Sequence, residues 1–377
     1  MHKVVCVVGT RPEAIKMAPV IMKLKDSEDF SVSLLSTGQH VEMLDQALKH
    51  FNIQPDYNLQ VMKERQSLDH ITSRVLEGTA RFLDENKQDL MLVHGDTTTT
   101  LAASLAAFYR NVPIAHVEAG LRSNNMTQPF PEEANRIITD RLSSLCFAPT
   151  GIAAQNLLKE GISENIIWIT GNTVIDSLFW TIENSLPGKS LLSFGIDDIS
   201  PIILVTAHRR ESWGKPLMRI VRALKELLKK YNDLHAVIPL HLNPEVREVF
   251  FRILDKSERV HYTDPLDYPE FISVMKRCTF IMSDSGGIQE EASALRKPLL
   301  ILRELSERPE AINEGTGILV GSDEQKIVST ASRLLDNPEL LASFSQNKEC
   351  PFGDGKAADK IVRIIKEYLL KTKSIAN

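Results

Sequence analysis

The sequence predicts an α/β protein built from two doubly wound, Rossmann-like domains. Short β-branched apolar runs alternate with amphipathic helical stretches, the pattern of βαβ units and parallel sheets. The alternation restarts in the second half of the chain, after a stretch at 186–190 that contains Pro187 and Gly188. A chain of 377 residues also exceeds what one hydrophobic core usually organises.

In chain order, strands are expected at 3–8, 31–36, 90–94, 113–117, 145–148 and 166–169, and then at 202–206, 236–239, 260–262, 280–283 and 299–302. Pro12 suits the first turn of the first helix. Ser67 suits the N-cap of a helix running to about Asn86, and Thr150 the N-cap of a later one. The Gly171-Asn172 turn is the expected crossover, with a helix over 174–185 opening the second domain. A final amphipathic helix over 356–372 follows the break at Gly353 and Gly355, and its position suits a return to the first domain. The expected domains are therefore 1–171 plus about 356–377, and 172–355.

Composition narrows the function classes. A formal net charge of -5 argues against a constitutive nucleic-acid or anionic-membrane surface, since either needs clustered Lys and Arg. The opening apolar run, Val4 to Val8, is too short for a signal-peptide core, and no stretch is long enough to span a bilayer. Cys6, Cys146, Cys278 and Cys350 are scattered, without Cys-x-x-Cys spacing, which suits reduced thiols in a cytoplasmic protein. No metal-ligand spacing is present, and neither a Gly-x-Gly-x-x-Gly fingerprint nor a P-loop appears, so no cofactor is expected.

In open parallel sheets ligands bind beyond the carboxyl ends of the strands. The loops expected there are polar. Gly9-Thr10-Arg11-Pro12 opens a helix, and its free N–H groups with Arg11 and Lys16 suit a phosphate; a plain Rossmann turn fits the spacing equally well. His94-Gly95-Asp96-Thr97 and Val117-Glu118-Ala119-Gly120 put Asp96 and Glu118 at one sheet edge, although Asp96 also suits a helix cap. Glu132 and Glu133 start a helix, where acids commonly complement the dipole. In the second half, His208-Arg209-Arg210 ends a strand as an anion site, with His241 a weaker second instance. Ser285-Gly286-Gly287 at a helix start is a cradle for a diphosphate, and Glu291 lies one turn in. Arg308 adds a further cation, with a solvated loop charge as the alternative reading.

Together with His116-Val117-Glu118-Ala119-Gly120-Leu121-Arg122, Pro131-Glu132-Glu133-Ala134-Asn135-Arg136 and Gly171-Asn172-Thr173, these blocks resemble the non-hydrolysing UDP-N-acetylglucosamine 2-epimerase family, in family order and spacing from Val4 to the last helix. The resemblance implies a GT-B-like fold with UDP-GlcNAc or UDP-ManNAc in an interdomain cleft, and a homodimer. It implies catalytic roles for Asp96, Glu118, Glu132 and His208. Substrate positions fall on Arg11, Lys16, Phe271, Ser285, Gly286, Gly287, Glu291 and Arg308. A second, activating UDP-GlcNAc is implied at Gln39, Arg65, Glu132, His208, Arg209 and His241, with Glu42 where some activated members have Gln. The rival readings are a retaining glycosyltransferase, a hydrolysing epimerase and a non-catalytic UDP-sugar sensor.

Overall fold

The computed structural model describes residues 1–38, 41–62, 66–185, 194–197, 199–209, 212–254, 257–344 and 349–376. The expected linker at 186–190 lies outside them, as do Gln39, Arg65 and Arg210. By internal contacts the chain forms two compact units, Met1–Phe179 with Gly353–Asn377, and Trp180–Phe352.

The first unit carries a parallel sheet in the order β3-β2-β1-β4-β5-β6-β7. Its strands are β1 (His2–Val8), β2 (Phe30–Ser36), β3 (Tyr57–Asn58), β4 (Leu90–His94), β5 (Ile114–Val117), β6 (Leu145–Ala148) and β7 (Ile167–Ile169). The second unit repeats the plan as β10-β9-β8-β11-β12-β13, from β8 (Ile202–Thr206), β9 (His235–Pro239), β10 (Val260–Thr263), β11 (Phe280–Ser283), β12 (Leu299–Ile301) and β13 (Gly317–Leu319). Strand order reverses between β1 and β4 and again between β8 and β11, the positions where doubly wound sheets bind ligands.

Helices cover both faces of each sheet, so the central strands read as continuous apolar runs. Val5, Val7, Met91 and Val93 pack with Val75 and Phe82 in the first core; Ile203, Val205, Phe280 and Met282 pack with Leu224 and Leu227 in the second. Full burial of one such side chain contributes about 1.5–3 kcal/mol. Among the described residues, no helix is long and apolar enough to cross a membrane.

The helix Thr173–Asn184 differs from the sequence expectation in its allegiance. Its first half belongs to the first unit: Ser177 Oγ donates to the Ile15 carbonyl at 2.6 Å, and Asp176 accepts the Ala357 and Ala358 N–H groups at 3.2 and 2.8 Å. Asp176 thereby fastens the start of the final helix, Ala357–Ala376, whose Asp359 pairs with Lys23 at 2.8 Å. The units divide between Phe179 and Trp180, inside the helix, and not at Gly171-Asn172.

Candidate active site

At the switch point of the first sheet, the β1 turn is built around Glu13. Thr10 caps the helix Arg11–Lys25, and Glu13 closes a capping box. Glu13 Oε2 accepts the Gly9 and Thr10 N–H groups at 2.8 and 2.7 Å, while Oε1 accepts the Thr97 and Thr100 hydroxyls at 2.5 and 3.1 Å. Burial pushes its carboxyl above the usual range, against these hydrogen bonds. Gly9 is obligatory, since a Cβ there would collide with the Thr99 and Thr37 hydroxyls. Arg11 takes the first helical position, half-buried.

Lys16, from the same helix, is buried and paired with Glu118. Glu118 Oε2 also accepts Asn172 Nδ2 at 2.7 Å and lies 3.8 Å from His94 Nε2. Burial drives the His94 imidazole down to about 3, so it stands beside Glu118 as a neutral ring. Glu118 adopts φ 69°, a left-handed conformation that costs a non-glycine residue on the order of 1 kcal/mol or more and clusters at functional sites. Lys16, which with Arg11 suits a phosphate by sequence, is thus engaged with Glu118.

Asp96 is not a helix cap. Thr97 caps the helix Thr98–Phe108 through its Oγ1, leaving the Asp96 carboxylate to pair with Arg136. The Asp96 carbonyl accepts Asn135 Nδ2 at 2.9 Å, so the helix Glu132–Leu142 is tied to the Asp96 turn. Glu132 and Glu133 do different things at the start of that helix. Glu133 is buried and accepts the Ser123 and Asn124 N–H groups at 2.9–3.0 Å, while Glu132 is half-buried. The turns of Asp96 and Glu118 adjoin: a Cβ on Gly95 would lie 3.8 Å from Glu118 Oε1.

In the second unit, Asp284 organises the switch point. This fully buried carboxylate accepts the His208 and Arg209 N–H groups and Ser212 Oγ, each at 2.9 Å. It fixes the loop after β8, and His208 is left with 40% of its side chain exposed. His241, the weaker histidine by sequence, stacks on His208 with centroids 5.3 Å apart and an angle of 3° between the rings. Burial, with the neighbouring His208, lowers the His241 imidazole below the ordinary histidine value.

The helix Gly286–Ala294 starts at Ser285, whose side chain makes no capping bond. A Cβ on Gly287 would meet nothing within 4 Å, so the backbone there is open to a ligand. Arg308 is buried, which corrects its reading as a solvated loop charge: Nε donates to Glu290 at 2.6 Å, and the guanidinium packs against Gly286. Glu291 Oε1 accepts the Tyr268 hydroxyl at 2.8 Å. Phe271, one turn from Tyr268 on the helix Tyr268–Arg277, is half-buried. Sequence reasoning missed Asp284, Tyr268 and Glu13, each of which works through a partner that spacing does not display.

These arrangements coincide with a family. The family model described as UDP-N-acetylglucosamine 2-epimerase matches residues 22–366. The chain belongs to this family. The UDP-N-acetylglucosamine 2-epimerases of Escherichia coli K12 and Yersinia pestis are 47% and 46% identical to it, each over 97% of this chain and 98% and 99% of their own. The Neisseria meningitidis epimerase bound to UDP-GlcNAc superposes with a TM-score of 0.91 at 46% identity, covering 97% of this chain and all of its own. The Methanocaldococcus jannaschii epimerase in complex with UDP-GlcNAc and UDP gives 0.83 at 33% identity, over 97% and 99% of the two chains. A Rickettsia africae glycosyltransferase, 16% identical with a TM-score of 0.62 over 98% and 99%, shares the fold alone. The two Rossmann-like domains are accordingly GT-B-like.

Proposed function

We propose that the protein is a non-hydrolysing epimerase that interconverts UDP-GlcNAc and UDP-ManNAc. C2 of the sugar is scarcely acidic, because the acetamido group places no carbonyl beside it. Loss of the nucleotide solves this. The C1–O bond breaks with its electron pair leaving on UDP, a carboxylate takes the C2 proton, and 2-acetamidoglucal forms. A proton then returns to the other face of C2 as a UDP oxygen attacks C1.

Asp96, Glu118 and Glu132 are the proposed proton carriers. The observation that carries the reading is Glu118, held in strained backbone at a strand end against buried Lys16, Asn172 Nδ2 and the Gly95 turn. A general acid or base so placed contributes about 10²–10⁴-fold. Arg11, His208 and the open helix start at Ser285-Gly286-Gly287 take the diphosphate as its charge develops, an effect worth several kcal/mol. Glu291 and Phe271 hold the nucleoside and Arg308 braces the helix start. The protein acts without a cofactor as a cytoplasmic homodimer, supplying ManNAc units for surface polysaccharide. A second UDP-GlcNAc binds as activator through Gln39, Arg65, Glu132, His208, Arg209 and His241.

The test is incubation of the pure protein with UDP-GlcNAc in D₂O, followed by NMR. UDP-ManNAc deuterated at C2 is the expected product. Free ManNAc would mean hydrolysis, and an unchanged substrate would rule out epimerisation.

A further inference from the structure

The turns after β4 and β5, which carry Asp96 and Glu118, are joined by a fully buried pair of side chains, His116 and Asp140. His116 ends its side chain between them. Its Nε2 lies 2.7 Å from the Gly95 carbonyl, which only accepts, so that nitrogen carries a proton. Its Nδ1 lies 2.6 Å from Asp140 Oδ1. Asp140 Oδ2 accepts the Gly120 N–H at 3.3 Å and Arg122 at 2.6 Å, and Arg122 continues to Glu160 at 2.7 and 2.8 Å. Burial opposes ionisation of Asp140, but His116 and Arg122 outweigh it and hold the carboxyl below its ordinary range. A carboxylate so held only accepts, so His116 Nδ1 donates to it.

The cluster grips the residue before Asp96 and the second residue after Glu118. Both gripped glycines have positive φ, 67° at Gly95 and 84° at Gly120, as does Glu118 between them in the fold. We propose that His116, donating at once to the Gly95 carbonyl and to Asp140, is a positioning residue that sets the Asp96 and Glu118 turns against each other for proton transfer at C2. This rests on the epimerase reading given above. His116 touches no reacting atom; it acts by fixing where the two carboxylates stand, and misplacement by about 1 Å costs on the order of 100-fold in rate.

Two measurements test the proposal. In the wild-type protein labelled with ¹⁵N-histidine, each His116 ring nitrogen shows a directly bonded proton engaged in a hydrogen bond, Nε2 to the Gly95 carbonyl and Nδ1 to Asp140. A ring nitrogen that carries no proton overturns the proposal. In His116→Gln, kcat falls about 100-fold while KM for UDP-GlcNAc and affinity for UDP stay within about threefold, because the amide cannot bridge both acceptors. A folded variant with unchanged kcat, or one that loses KM and kcat together, overturns it as well. If His116→Gln fails to fold, the ring-nitrogen spectrum alone decides. That spectrum needs no turnover, so a wild-type protein that fails to exchange C2 would sink the epimerase reading and leave the protonation of His116 separately answered.

Discussion

The two sheets present the same switch point in different chemical dress. In the first unit the strand-end groups are tied to charged partners, most of them buried: Lys16 to Glu118, half-buried Asp96 to Arg136, and His116 and Arg122 to Asp140. In the second, a single buried carboxylate, Asp284, fastens the loop from beneath, and what it presents is accessible: the half-exposed His208 stacked on His241, and a helix start with open space at Gly287. On the proposed function, one duplicated fold supports two tasks: the carboxylates that would move protons are set among charged partners, whereas the groups that would take a diphosphate are left accessible.

That contrast can be broken most severely from the first side. Glu118→Gln and Asp96→Asn each lower kcat by about 10²–10⁴-fold, while UDP affinity by calorimetry stays within about threefold. Near-normal turnover in both variants would remove these carboxylates from the chemistry.

A pH profile of stability sharpens the same point. Burial holds His94 neutral in the folded chain down to about 3, against an ordinary value of 6.5, with Glu118 pulling upward and Lys16 adding to the depression. The unfolded chain takes up the proton first, so the stability owed to the neutral ring is complete above pH 6.5 and is lost as pH falls toward 3. The slope is at most about 1.4 kcal/mol per pH unit. Urea unfolding of His94→Gln should show that slope flattened; an unaltered slope would mean the ring is not buried neutral.

On the second side the effects are smaller and fall on binding. Gly287→Ala adds a methyl where nothing is met, so the unfolding midpoint stays put while UDP affinity drops about tenfold as the backbone loses its close approach. Tyr268→Phe removes the hydroxyl that holds Glu291 and weakens UDP binding by about 1 kcal/mol, with kcat unaltered. Unaltered UDP affinity in both would take this helix start out of nucleotide binding.

Much of the fold was legible in the sequence because central parallel strands are continuous apolar runs: β4, β6, β8 and β11 match their expected bounds. Tyr57–Asn58 and Gly317–Leu319 escaped notice, since two or three residues give no measurable period. The helix Thr173–Asn184 was visible, but its attachment through Ser177 to Ile15 is a contact across the chain that no local pattern encodes. At the site, the motif residues stood out by chemistry, yet their partners did not. Asp140 lies near the end of an ordinary-looking helix, and only its fully buried face reveals it as the anchor of the His116 and Arg122 cluster. Asp284 sits directly before the Ser285-Gly286-Gly287 turn, and its role in fixing the loop after β8 is a contact that spacing does not display.

The central claim is that nucleotide departure makes C2 inversion possible. UDP-GlcNAc carrying ¹⁸O in the bridge between C1 and the β-phosphorus reports on it directly. If the C1–O bond breaks and the diphosphate rotates before it returns, the label scrambles into the non-bridging β-phosphoryl oxygens as epimerisation proceeds. Epimerised product that retains all its ¹⁸O in the bridge would contradict the account.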